Sequence, residues 1–339
     1  MTPRSRLLTI VASVLAAVTL CSVVLLVKLS SAAMHNRFAG RAPALITILP
    51  GADLSSVAHT LAVEGIVNEP LLFELWTRLA GRAGALQAGT YEVAPAETPA
   101  ALLEKMVAGR TKTFTVTFVE GSRFSDLRRV LRAHPHLLHT IQQLSDEAVM
   151  DTLGVTDRAA EGLFFPSTYQ FKADAADITV LARAHQRMQQ LLAAGWQSRA
   201  PDLPYDSPYA ALVMASIVEK ETARADERRM IAGVFVRRLR KGMKLQTDPT
   251  VIYGLGNSYA GNLRRADLQH DTAYNTYTRA GLPPTPIAMP GAASIAAAFD
   301  PLAGTALYFV ARGDGSHQFS DSLEQHISAV QHYQVRSAR

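Results

Sequence analysis

SPYAALVMASIVEKE, from Ser207 to Glu221, is the stretch from which the rest of this 339-residue chain can be ordered. Ser207 suits a helix N-cap, where its hydroxyl accepts a free backbone N–H, and Pro208 suits the first helical position, where no N–H partner is needed. Ala210, Ala211, Leu212, Val213, Met214, Ala215, Ile217 and Val218 leave no polar face, so the pattern predicts a helix buried all round. Glu219 ends the apolar run. A carboxyl at such a place loses hydration, which disfavours its charged form and suits it to donate a proton near neutral pH. Glu219 is therefore a candidate general acid; the competing reading is an ion pair with Lys220 or a neighbouring arginine at the helix end.

Downstream, a second helix is expected over Asp226–Lys241, stopped by a basic stretch and Gly242. The chain then reads as loop-rich. LQTDPTVIYG (Leu245–Gly254) and AYNTYTRAGLPPTPIAMPG (Ala273–Gly291) carry Gln246, Thr247, Asp248, Tyr253, Tyr274, Asn275, Thr276 and Tyr277 among five prolines, Pro249, Pro283, Pro284, Pro286 and Pro290. Prolines stiffen loops, and polar tips on stiff loops suit an uncharged, hydroxyl-rich ligand, although each of these residues could equally be structural. Asp248 before Pro249 could simply hold a turn. ALYFVARGDGSHQFS reads as a hairpin around Asp314-Gly315, and a last helix is expected from about Ser322 to Tyr333.

Upstream, Leu7–Val27 is an unbroken uncharged run between Arg6 and Lys28, enough for one membrane-spanning helix, which needs about 20 residues. Small residues at Ser31, Ala32 and Ala33 leave a cleavable signal open, but the length favours an uncleaved anchor. Basic residues flank the run on both sides, so charge alone does not orient it. After a polar linker, Ile46–Leu61 and Val116–Leu131 align without a gap as two copies of a strand, a glycine turn (Gly51, Gly121) and a helix capped near a serine (Ser55, Ser125). Between them lie a helix over Glu69–Ala80, a strand near Leu86–Val93 and a helix over Pro99–Ala108. Strand, two helices and strand have the outline of a small LysM-type wall-polysaccharide module, by element order alone.

His134, His136 and His139 lie close together, but Pro135 interrupts them and no acid or cysteine joins them, so no metal site is expected. EGLFFPSTYQF (Glu161–Phe171) could line a sugar groove with its aromatics or form core around a turn; Glu161 could face that groove or pair with an arginine, and pairing is the slightly favoured reading. An amphipathic helix over Asp177–Ala194 and a proline-rich loop lead back to Ser207.

Apolar content of 48% against 19% charged excludes a disordered chain. The net charge of +5 fits an anionic surface or polymer, but no dense basic run with interleaved aromatics points to nucleic acid, which is not expected as a partner. Cys21 is the single cysteine, so no intramolecular disulfide can form.

With these residues in view, the chain resembles the endolytic murein transglycosylase family from about Ile46 to Tyr333. ASIVEKET (Ala215–Thr222), LQTDPTVIYG, YNTY followed by GLPP (Tyr274–Pro284), and YFVA with HQFS (Tyr308–Ser320) resemble its motifs in order and spacing. Ser167, Thr285 and Met289 depart from the residues frequent there, which leaves the fine shape of a sugar groove open. The resemblance implies an α+β fold: a head (1–6), a membrane helix (7–28), a linker (29–43), a LysM-like βααβ module (44–114) and a mixed α+β catalytic domain (115–336). It implies a single-pass inner-membrane protein with its catalytic domain outside, cutting nascent peptidoglycan strands without a cofactor, with Glu219 as the catalytic residue and peptidoglycan synthases as possible partners.

One acid suffices for this chemistry, because the C6 hydroxyl of N-acetylmuramic acid is the nucleophile: Glu219 would protonate the glycosidic oxygen and then accept the hydroxyl proton as a 1,6-anhydro ring closes. Gln246, Thr247, Asp248, Tyr253, Tyr274, Asn275, Thr276, Tyr277 and Glu161 are the expected groove residues. Were Asp248 or Glu161 beside Glu219, water could be activated instead and the enzyme would be a muramidase. A wall-binding membrane scaffold without activity is the rival from another class.

Overall fold

The apolar N-terminal run becomes one helix, α1 (Pro3–Met34), in the computed structural model, which describes residues 3–34, 37–156 and 158–335. Its Ile10–Ser31 portion is long and apolar enough to cross a membrane, and side chains such as Leu15, Leu20 and Leu26 face outward. The helix continues past position 28 because Leu29–Met34 holds neither Gly nor Pro to stop it.

Contacts divide the chain into two units, one running to Phe114 and including Phe171–Ala173, the other comprising Thr115–Gln170 and the chain from Asp174 onward. Beyond α1, the first holds β1 (Ala44–Ile48), α2 (Leu54–Val63), α3 (Pro70–Leu79), β2 (Gly89–Val93) and α4 (Pro99–Val107). β1 and β2 pair antiparallel from Ala44 opposite Val93 to Ile48 opposite Gly89. Ile46, Leu61, Phe73, Tyr91, Leu102 and Met106 close the core against them. Asp53, not a serine, caps α2, accepting the Ser56 N–H at 2.8 Å. Ser55 falls inside the first turn.

β3 (Thr113–Thr117), α5 (Phe124–Ala133), β4 (Leu137–Leu138), α6 (Asp146–Thr152), β5 (Thr168–Lys172), β6 (Ala175–Ala176) and α7 (Asp177–Gln197) follow. β3 pairs with β5, and β4 with β6 in parallel. The strand, turn and helix that end in α5 repeat those that end in α2: Gly51 and Gly121 both take positive φ, 80° and 74°, as the turn demands. Here too the serine is not the cap; Asp126 reaches back to the Arg123 N–H at 3.0 Å. Phe164 and Phe171 are core residues, Phe164 stacking on Phe124 with centroids 5.0 Å apart.

α8 (Pro208–Glu221) is the axis of the second unit. Ser207 caps it, accepting the Ala210 N–H at 3.2 Å, and every residue from Ala211 to Val218 is buried. α9 (Arg228–Arg240), α10 (Asp248–Leu255), α11 (Arg265–Gln269) and α12 (Ala292–Phe299) follow; α7, α9, α10 and above all α12 pack on α8. The alanines of α12 let its backbone approach closely. The proline-containing Asp248–Leu255 segment is a helix rather than a loop, because Pro249 stands in the first turn, as Pro208 does in α8. β7 (Tyr308–Ala311) and β8 (His317–Ser320) form the expected antiparallel hairpin, and α13 (Leu323–Val330) ends in a π-helical turn at Gln331–Val335.

Candidate active site

A helix buried on all sides shows its acids only where it ends, and α8 ends with two, Glu219 and Glu221. Two residues along a helix turn the side chain by about 200°, so they leave α8 on opposite sides.

Glu219 meets a set of donors. Its Oε2 accepts the Gly291 N–H at 3.0 Å and the Ser294 hydroxyl at 2.7 Å. Arg228 places Nη2 3.9 Å from Oε1 and donates its Nε–H to Ser294 Oγ at 3.1 Å. The Glu219 side chain is 7% exposed. It ties the last turn of α8 to the first residue of α9 and the start of α12. The glycine turn of the second repeat lies against it: Gly121 donates its N–H to Met289 O, and Lys220 Nζ donates to Gly121 O.

Glu221 emerges into a different setting. Its Oε1 accepts the Thr247 hydroxyl, while Oε2 has no hydrogen-bond partner among the described residues and is not sealed from solvent. Burial pushes this carboxyl up to about 7, the negative charge of Asp248 acting in the same direction against the Thr247 bond, His317 and Arg238. Asp248 is exposed and its Oδ1 accepts the Tyr277 hydroxyl at 2.6 Å; burial raises that phenol above its ordinary value.

The other predicted groove residues do not share one setting. Thr276 and Asn275 are buried framework: Thr276 Oγ1 accepts the Thr247 N–H at 3.1 Å, and Asn275 Nδ2 donates to the carbonyls of Asp267, Leu268 and His270. Gln246 is exposed, accepts from Arg238 Nη1 at 3.3 Å and sits at φ 52°, a left-handed backbone that a non-glycine residue adopts at a cost. Thr247, Asp248 and Tyr277 thus gather around Glu221. Tyr253 and Tyr274, with ring centroids 4.9 Å apart, lie toward the far end of α10, about 8 Å further along its axis. There Glu161 is 8% exposed, accepts from the Phe124 N–H at 3.1 Å and from the Tyr253 hydroxyl at 3.2 Å, and is pushed up to about 7 by burial. Among the described residues Glu161 has no arginine within ion-pair distance; Arg123 lies over the Tyr253 ring at 5.1 Å and acts on the carboxyl through its charge. Tyr274 shares a 2.8 Å hydrogen bond with Thr285.

Among the described residues no three His, Cys, Asp or Glu side chains converge as metal ligands; His139 stands 4.0 Å from Asp177.

The chain is similar to known proteins in sequence and fold. Residues 46–332 match the model of the YceG-like family. The chain belongs to that family. It is 30% identical over 305 residues to an endolytic murein transglycosylase of Bacillus subtilis, covering 85% of this chain and 84% of that one. An endolytic murein transglycosylase of Streptococcus pneumoniae is 26% identical over 316 residues, which are 83% of this chain and 56% of that protein. A crystal structure of a YceG-like protein from Listeria monocytogenes shares the fold, with a TM-score of 0.56 at 28% identity, over 85% of this chain and 99% of that one.

The sequence motifs alone give no role to Glu221, Arg228 or Ser294. Glu221 was visible as the second acid of Glu219-Lys220-Glu221. Only the packing around α8 separates it from the first.

Proposed function

We propose that this YceG-like protein is an endolytic murein transglycosylase that cleaves the β-1,4 bond between N-acetylmuramic acid and N-acetylglucosamine within peptidoglycan strands, with Glu221 as its general acid. The observation that carries the assignment is the Glu221 carboxyl: one oxygen held by Thr247, the other without a hydrogen-bond partner among the described residues, and a proton retained to about pH 7 by burial. Glu219, the acid expected from the motif, is instead engaged by Gly291, Ser294 and Arg228 and acts as a brace for the end of α8.

Glu221 protonates the glycosidic oxygen, and the C6 hydroxyl of the muramic residue attacks C1 of the same sugar to leave a 1,6-anhydro end. That hydroxyl must give its proton to a base, either the Glu221 carboxylate just formed or a neighbouring group. Breaks within nascent strands would end their elongation. α1 fits a single-pass anchor in the cytoplasmic membrane with both units outside, near the synthases that make the strands; the β1-α2-α3-β2 order supports a LysM-like role in holding glycan.

Asp248 favours a second reading. A carboxylate close enough to act on the titration of Glu221 is the second acid that a muramidase needs to activate water. The full-length protein, incubated in detergent with un-crosslinked glycan strands, separates the two by fragment mass. Anhydro ends, one water lighter than reducing ends and absent with Glu221→Gln, support the transglycosylase. Reducing ends make it a muramidase, and undiminished cleavage by Glu221→Gln removes Glu221 from the chemistry.

A further inference from the structure

One buried arrangement lies close enough to Glu221 for its charge to act on that carboxyl. Glu227, 6% exposed at the start of α9, holds His317, the first residue of β8, by two bonds: Oε1 accepts the His317 backbone N–H at 2.9 Å, and Oε2 lies 2.6 Å from Nδ1. The Thr222 hydroxyl also donates to Oε2, at 3.5 Å, and Arg224 Nε lies 3.7 Å from Oε1. A carboxylate acceptor requires Nδ1 to carry the ring hydrogen, which leaves the lone pair of a neutral imidazole on Nε2. Nε2 has no hydrogen-bond partner among the described residues and is not sealed from solvent. Thr222 directly follows Glu221, so the carboxylate that orients His317 is bonded to the residue next to the proposed acid. The charged groups around the ring are Glu227, Arg224 and Glu221; Phe309, edge-on at 5.4 Å, and Phe319 give it apolar neighbours.

We propose that His317 is the base of the reaction, its Nε2 accepting the proton of the attacking hydroxyl while Glu221 protonates the leaving oxygen. This rests on the assignment of Glu221. The bond from C1 of the muramic residue to the glycosidic oxygen breaks with its electron pair on oxygen, which takes the Glu221 proton and departs as the C4 hydroxyl of N-acetylglucosamine. The C6 oxygen bonds to C1, and its hydrogen passes to Nε2. Glu227 balances the imidazolium so formed, which then returns the proton through solvent to the Glu221 carboxylate, restoring both groups. Asp248 is the weaker candidate for this step, because one of its oxygens already accepts the Tyr277 hydroxyl. An imidazole held by a carboxylate is the arrangement that serves hydroxyl nucleophiles elsewhere.

The test is the pH profile of kcat and KM for the full-length protein on glycan strands, comparing wild type with His317→Ala, His317→Gln, Glu227→Gln and Glu221→Gln. His317→Ala should lower kcat by roughly 100-fold or more with little change in KM, lose the acidic limb of the profile, and recover at least about tenfold with added imidazole. Glu227→Gln should lower kcat by about tenfold or more while KM and the thermal midpoint hold. Should His317→Ala not fold, His317→Gln and Glu227→Gln decide the matter by the same kcat criterion. A His317 variant within about threefold of wild type overturns the proposal, as does a loss that leaves the acidic limb in place and does not respond to imidazole. If Glu221→Gln is inactive while His317→Ala is normal, only this inference fails; if Glu221→Gln is active, the assignment of the acid fails first.

Discussion

Ser294 donates its hydroxyl hydrogen to Glu219 Oε2 across 2.7 Å while accepting from Arg228 at 3.1 Å, so one serine joins the acid at the end of α8 to the basic start of α9. A carboxylate so engaged holds helices together. Replacing it with an amide puts an N–H₂ or a weaker acceptor where two donors converge, at a cost of about 1–3 kcal/mol. Glu219→Gln should therefore lower the denaturation midpoint while keeping part of the activity. Glu221→Gln should leave the midpoint nearly unchanged and reduce kcat by roughly 100-fold or more. Thermal unfolding and strand cleavage measured on both variants check this, and the opposite pattern would return the chemistry to Glu219.

Asp248 sets a second expectation, because its negative charge helps hold the proton on Glu221. Asp248→Asn removes the charge and keeps an oxygen for the Tyr277 hydroxyl. The Glu221 carboxyl should then titrate lower, so the alkaline limb of the pH–rate profile should move to lower pH, with the peak rate reduced less than in Glu221→Gln. A limb that does not move would mean that the charge of Asp248 is screened from Glu221.

What the sequence disclosed was governed by how local the cause was. α8 could be read because Ser207, Pro208 and the apolar run that follows act within one helix. The hairpin at Asp314-Gly315 was legible for the same reason. α10 was hidden because a proline in a polar stretch reads equally as a stiff loop or as a helix start; what continues the helix is the packing of Thr250 and Val251, both buried. α12 gave no signal beyond a run of alanines. With α12 unread, Ser294 and Gly291 could not be set against Glu219, and nothing local distinguishes the setting of Glu219 from that of Glu221 two positions on. Thr247 and Tyr277, which belong to two distant motifs, are brought near each other by their bonds to Glu221 and Asp248, a link that neither motif carries alone.

Glu161 makes stability depend on pH in a direction unusual for a carboxylate. Its ordinary value is 4.5 and burial raises it to about 7. Between those values the folded state retains a proton that the unfolded chain has released, so stability is greatest below the unfolded value and is lost as pH rises toward 7. The full difference would amount to about 3 kcal/mol. Urea midpoints should therefore fall between pH 5 and pH 8 in the wild type, and fall less in Glu161→Gln. An equal fall in the variant would assign the dependence to other groups, Glu221 first.

Ser216 links the core of α8 to the site through a single side chain. It is fully buried, donates its hydroxyl hydrogen to Val213 O at 2.7 Å and accepts the Ile287 N–H at 3.0 Å. Ile287 lies in the segment that runs from Thr285, the partner of Tyr274, to Gly291, the backbone donor to Glu219. Ser216→Ala removes the acceptor and leaves a buried backbone N–H unpaired, which costs about 1–3 kcal/mol. It should also loosen the segment that fixes Gly291, so cleavage should slow by less than in Glu221→Gln and amide exchange at Ile287 should accelerate. Ser216→Ala with an unchanged midpoint and protected exchange at Ile287 would show that the packing of Ile287 and Ala288, both buried, holds the segment without the serine.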